Sequence, residues 1–162
     1  MITLHDIWLL APQVILAVGA VVVMLSIAVK RSHRFSWLFS LLTLLASFLV
    51  LCLQTAPAGA ATRMFTVDGT GRFFTGLILA ASFVVVVLAY PYFRGRDGRA
   101  EEFYLLELLA TVGAVTMVES AGFVAFFLSL EVLSVSLYGL IAYEKRESIA
   151  IEAGLKYLIL AS

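Results

Sequence analysis

Five apolar stretches, each close to the length that crosses a bilayer, decide what this chain can fold into. They run 7 to 29, 35 to 53, 73 to 90, 103 to 118 and 121 to 143, and a sixth begins at Ile149 and reaches Ser162. A hydrocarbon core about 30 Å thick is crossed by roughly 20 helical residues at about 1.5 Å each. That layer holds no water to bond the backbone, so such runs cross it as helices. The fold class expected is an all-α integral membrane protein, a polytopic helix bundle of five full spans and a shorter sixth, with residues 1–162 forming one transmembrane domain. Spans three and four are short, so flanking residues should extend them. The sixth run covers 14 residues, about 21 Å at helical rise. It would stop inside the bilayer, which implies either a longer parent chain or a separate polypeptide that completes it.

Composition removes the competing classes. Of the 162 residues 62% are hydrophobic and 14% charged, and eleven Lys and Arg balance eleven Asp and Glu, so no basic excess exists to attract nucleic acid. The single cysteine, Cys52, lies in an apolar run and excludes both an internal disulfide and a cysteine-ligated metal centre. The two histidines, His5 and His33, fall outside the apolar runs, so no haem can be held between histidines of these helices.

Charge in the short loops orients the bundle. Lys30, Arg31 and Arg34, then Arg94, Arg96 and Arg99, then Lys145 and Arg146 make eight cations on one side, against Arg63 and Arg72 on the other. By the positive-inside rule the loops at 30–34, 91–102 and 144–148 are cytoplasmic and the N-terminus is outside. Basic residues follow the first span and do not precede it, the reverse of a cleaved secretory signal. Pro12 falls in the first turns of that span, where a missing amide donor costs little. Asp68-Gly69-Thr70-Gly71 lacks the spacing and the lysine of a phosphate-binding loop and reads as a turn into the third span. Only Glu119-Ser120 separates the fourth and fifth spans, so those helices must be adjacent and antiparallel.

Four charges sit inside apolar runs: Glu107, Glu131, Glu152 and Lys156. A central Asp, Lys or Arg costs about 2.5–3.5 kcal/mol to insert, and such groups face a bundle interior or water. Glu131 lies ten residues into a 23-residue run, near the bilayer centre, with Ser134 at i+3 and Tyr138 at i+7 on the same helical face. Lys156 should lie about 10 Å deep and Glu131 about 18 Å from its own cytoplasmic end, a difference within side-chain reach. Glu152 and Lys156 are i and i+4 with the acid first, the favourable order for a helical pair. Burial favours the neutral form of both acids and lysines, so opposed members of such a line exchange protons at moderate cost. Glu131, Glu152 and Lys156 are therefore candidate members of a proton relay. The plainer readings are a hydrogen-bonded contact between helices for Glu131, a pair near the membrane surface for Glu152, and snorkelling to the interface for Glu107. Trp8, Trp37, Tyr90 and Tyr92 fall where an interfacial aromatic belt is expected.

The segment from Glu101 to Ser162 resembles the antiporter-like subunits of the proton-pumping NADH:quinone oxidoreductase, respiratory complex I, above all the bacterial subunit N family. The most specific pieces are LSLEVLSVSLYGL around Glu131 and IEAGLKYLILAS with Glu152 and Lys156; FTVDGTGRFF and the Pro12 entry add weaker support. The resemblance implies part of a subunit of the bacterial inner membrane related to cation/proton antiporters. Its partners would be protons, the lipid bilayer and other membrane subunits of complex I. It would have no redox centre of its own, since NADH, flavin, iron–sulfur clusters and quinone belong to other subunits. By that likeness Glu131 matches a glutamate paired with lysines in the proton path, and Glu152 with Lys156 matches the acid and lysine of the next helix. Ser136 stands where the family usually has proline, which implies a straighter fifth span. Glu107 stands where the family usually has an aliphatic residue and receives no role from it. A subunit of a multi-subunit sodium/proton antiporter would share this chemistry, and a non-catalytic membrane scaffold would use the charges only to hold helices together or to bind a neighbouring subunit.

Overall fold

The computed structural model describes residues 4–54, 59–60, 62, 64–94, 100–143 and 148–161. Arg63, Arg96, Arg99, Lys145 and Arg146, which contribute to the loop-charge pattern, lie outside the described residues, as does Ser162. The described residues form helices α1 (Leu4–Leu9), α2 (Ala11–Val29), α3 (His33–Leu53), α4 (Gly69–Phe93), α5 (Ala100–Val118), α6 (Phe123–Ile141) and α7 (Ser148–Ala161). Strands β1 (Gly59–Ala60) and β2 (Thr66–Val67) pair antiparallel in the register Gly59↔Val67.

The chain is a helical, multi-pass membrane protein. Four helices, α2, α3, α4 and α6, are long and apolar enough to cross a membrane. Helix α5 matches α2 and α6 in length at 19 residues but carries Glu101, Glu102 and Glu107. The first apolar run is divided: α1 ends at Leu9, α2 begins at Ala11, and Pro12 sits in the first turn of α2, where its lost donor is already surplus. Helix α4 begins earlier than its apolar run because the Asp68 side chain caps it, accepting a hydrogen bond from the Gly71 amide at 2.5 Å. Residues 69 to 71 are thus the first helical turn, and no open turn precedes the span. Helix α6 passes unbroken through Ser136, whose hydroxyl donates to the Val132 carbonyl at 2.7 Å.

Helix α5 is the axis of the bundle, packed against α2, α3, α4 and α6. Its Tyr104, Leu108 and Val115 are fully enclosed, with Leu16, Val23, Leu44, Leu79 and Val86 from the surrounding helices. Large apolar residues point outward from α2, α3, α4 and α6, among them Val18, Leu42, Leu77 and Val135, as lipid requires. Small and hydroxyl residues turn inward instead: Ser36, Ser40, Thr43 and Ser47 lie on the buried side of α3. That inversion lets helices approach closely. Gly19 of α2 meets the side chain of Thr43, and a Cβ built on Gly113 of α5 would lie 2.6 Å from the backbone nitrogen of Leu133 in α6. Gly139 of α6 meets Leu106 of α5, so the two helices run antiparallel.

The connection between α3 and α4 closes one end of the bundle against the α5–α6 turn. Thr66 donates its amide to the Glu119 carbonyl at 2.9 Å, Ala121 donates to the Met64 carbonyl at 2.8 Å, and Phe65 bridges to Ser120. Lys30, Arg31 and Arg94 lie at the opposite end, where Arg31 pairs with Glu102 at 3.5 Å. Overpacking the α5–α6 crossing should be costly because the obstacle is backbone. Gly113→Leu is expected to destabilise the full-length protein by about 1–3 kcal/mol, read as a lower unfolding temperature in detergent. Gly122→Ala, which meets nothing within 4 Å, should leave it unchanged.

Candidate functional site

Glu131 lies near the middle of α6 and is exposed, on a helix whose buried residues are Ala125, Ser129 and Ser136. Ser134 and Tyr138 are half-buried, and the Tyr138 ring meets that of Tyr157 on α7 at 5.3 Å between centroids. Glu152 and Lys156 form an ion pair at 2.6 Å along the exposed side of α7.

Lys156 and Glu131 are not brought together. Gly154 packs on Ala142 and Tyr157 on Tyr138, which sets an antiparallel register with Lys156 level with residue 140. Glu131 is then nine residues further along α6, about 13 Å at the helical rise. The depth estimate from span ends placed α7 too deep, since nothing in a sequence reports how far one helix slides past another. Ser134 and Tyr138 occupy the interval between the two charges.

Among the described residues the most enclosed carboxylate is one that sequence reading treated only as part of a turn. Glu119, just beyond α5, is 2% exposed. Thr75 of α4 donates its hydroxyl to Glu119 Oε1 at 2.9 Å, and Gln13 of α2 donates its amide Nε2 to Glu119 Oε2. One side chain thus ties three helices together. The sequence signals were an acid between two apolar runs and a glutamine six residues into the first run. Neither lay deep enough in a run to mark it as buried.

Burial pushes Glu119 up from the ordinary 4.5 to about 7, against the opposing effects of the Thr75 bond, the nearby Arg72 and the Gln13 bond, with Asp68 adding to the rise. Glu107 does not snorkel to the end of α5. It lies within hydrogen-bonding reach of Ser82 at the centre of α4, whose hydroxyl shares a 2.7 Å hydrogen bond with that of Thr111. At the basic end His33 bonds the Tyr104 hydroxyl at 2.9 Å beneath the ring of Tyr90, and Trp37 stacks on Tyr90 and donates to the Val86 carbonyl at 3.2 Å. Of the four expected belt residues, Trp8 and Tyr92 are about half exposed and Trp37 and Tyr90 turn toward the bundle. Among the described residues no group of His, Cys, Asp and Glu is arranged to hold a metal ion.

The raised value at Glu119 has a definite consequence. Between about 4.5 and about 7 the folded chain binds more protons than the unfolded one, so the stability contributed by neutral Glu119 is fully present below that window and is lost as pH rises through it. Amide protection of Thr66 and Ala121, corrected for intrinsic exchange, should fall between pH 5 and pH 8 (about 4.5 to 7 being the active window). Glu119→Gln should flatten that dependence.

No family model matches the chain. Among solved structures, it is similar to a chain in respiratory complex I from Thermus thermophilus with bound aureothin, at 32% sequence identity and a TM-score of 0.77. The similarity covers 92% of this chain and 32% of the other, so the chain spans about a third of the length of the complex I chain that it matches.

Proposed function

We propose that this chain is the N-terminal part of a proton-translocating membrane subunit of respiratory complex I, an antiporter-like subunit of the subunit N type. In this reading it forms one transmembrane domain of five spans and part of a sixth, with α5 as a full span despite its acids. The basic loops face the cytoplasm of a bacterial inner membrane. NADH oxidation and quinone reduction occur in other subunits, and the energy they release reaches this one as a change of field around Glu131 and its lysine partners.

The observation that carries the reading is the exposed Glu131 in the middle of an apolar helix, beside an α7 that bears a formed Glu152–Lys156 pair, in a chain similar to part of complex I. A carboxylate at that depth needs water or a polar neighbour on its exposed side. Ser134 and Tyr138 lead from it toward Tyr157 and Lys156 and supply hydroxyls that both donate and accept. A proton moving along that seam changes the charge of Glu131 at one end and is felt by the α7 pair at the other. A non-catalytic scaffold would use the same charges to hold helices together or to bind a neighbouring subunit, and double replacement of Glu131 and Lys156 by apolar residues would then leave transport intact.

Glu131→Gln in the full-length, assembled enzyme should lower proton pumping at least tenfold relative to electron transfer, measured as acidification per NADH oxidised in vesicles. Normal turnover with normal pumping would overturn the assignment.

A further inference from the structure

Glu119 is a buried acid that the reading above does not use, and its surroundings are unlike those of Glu131. Its two side-chain partners, the Thr75 hydroxyl and the Gln13 amide, can each serve as donor or acceptor. In the structure Gln13 presents its NH2 group, the arrangement that suits a carboxylate, and its Oε1 is buried with no hydrogen-bond partner. Turning the amide over would present that oxygen to a protonated Glu119. The site is therefore satisfiable in both charge states without moving a helix.

One turn inward from these three residues lies an apolar layer. Leu16 follows Gln13 on α2, Leu79 follows Thr75 on α4 and Val115 precedes Glu119 on α5, and all three are at most 1% exposed. Glu107, the next acid along α5, is about 18 Å away at helical rise. On the other side Ala121, Gly122 and Asp68 are exposed within a few residues. Among the described residues the charged groups facing Glu119 are Arg72 and Asp68, at the start of α4; α2 contributes the neutral Gln13.

We propose that Glu119, with Gln13 and Thr75, is a proton-exchange site that opens toward the end of the bundle remote from Lys30, Arg31 and Arg94 and is sealed from the interior by Leu16, Leu79 and Val115. On release, the Oε2–H bond breaks and the proton passes to solvent water at the Ala121 end. The bonding pair stays on the carboxylate, and the Gln13 amide turns so that Nε2 replaces Oε1 opposite Oε2. Uptake reverses each change. The midpoint near 7 lets both states be populated at neutral pH. A role for this exchange in pumping rests on the function proposed above; the exchange itself does not.

The test uses membranes containing the full-length, assembled protein and a hydrophobic carbodiimide, which adds to protonated carboxyl groups and leaves a stable acylurea that peptide mass spectrometry locates. Modification of Glu119 is expected to be maximal at low pH and to fall about tenfold per pH unit above a midpoint near 7. Gln13→Leu and Thr75→Val each remove a donor to the carboxylate and should move that midpoint upward. A midpoint in the ordinary carboxylate range, no adduct at any pH, or no shift in either variant would overturn the proposal. Glu131→Gln should leave the labelling curve in place, so a failure of the pumping assignment and a failure of this site are separately visible.

Discussion

Inside a hydrocarbon layer a polar atom has only the protein to bond to, and the packing of α2 to α5 follows from that constraint. Some hydroxyl side chains on these helices return to their own backbone, Thr43 to the Phe39 carbonyl at 2.9 Å and Thr116 to the Val112 carbonyl at 2.7 Å, and so stay hydrogen-bonded away from water, while Ser47 donates to the Pro12 carbonyl of α2. Because they are small, the same residues let helices approach until glycine is the residue that fits, at Gly19 against Thr43 and at Gly113 against the backbone of Leu133. Apolar bulk moves to the outside, where lipid is as good a solvent for leucine as another leucine. The interior is consequently more polar than the surface, and α5, enclosed by its neighbours, is where acids can be held.

Most of the architecture is legible in the sequence because a bilayer reads length and hydrophobicity directly. The runs that become α3, α4 and α6 stand out for that reason, and the two residues between the fourth and fifth runs force the antiparallel α5–α6 pair. What a run does not report is lateral position. Asp68 extends α4 by a cap, which depends on backbone geometry that apolar content does not encode. Glu107 looked like a residue close to an interface because its apolar run starts late, yet α5 begins at Ala100 and carries it to the level of Ser82. Glu119 was invisible for the opposite reason. It lies outside every run, and only the folding of the α3–α4 connection over the α5–α6 turn buries it. The offset between Glu131 and Lys156 belongs to the same class, since it is set by how Gly154 seats on Ala142.

The chain answers the cost of a carboxylate in two different ways. On α7 the acid meets a lysine one turn away in an ion pair at 2.6 Å. At Glu119 the acid meets a hydroxyl and an amide that can each reverse roles, and burial favours the neutral form against the pull of these two bonds and of Arg72. The first arrangement transmits electrostatic change, since moving a charge nearby alters the balance of the pair. The second stores or releases a proton with only side-chain rotation.

That difference bears on why the two kinds of site lie apart. An ion pair placed under the Leu16, Leu79 and Val115 layer would face a desolvation penalty that its mutual attraction seldom recovers. Exposed charge on α6 and α7 and enclosed, dipole-solvated charge at the α2–α4–α5 junction are therefore each in the surroundings that their chemistry requires. The apolar layer between Glu119 and the interior is what keeps a proton held at one end of the bundle from reaching the charges of the other by any route that does not first change the packing of the helices.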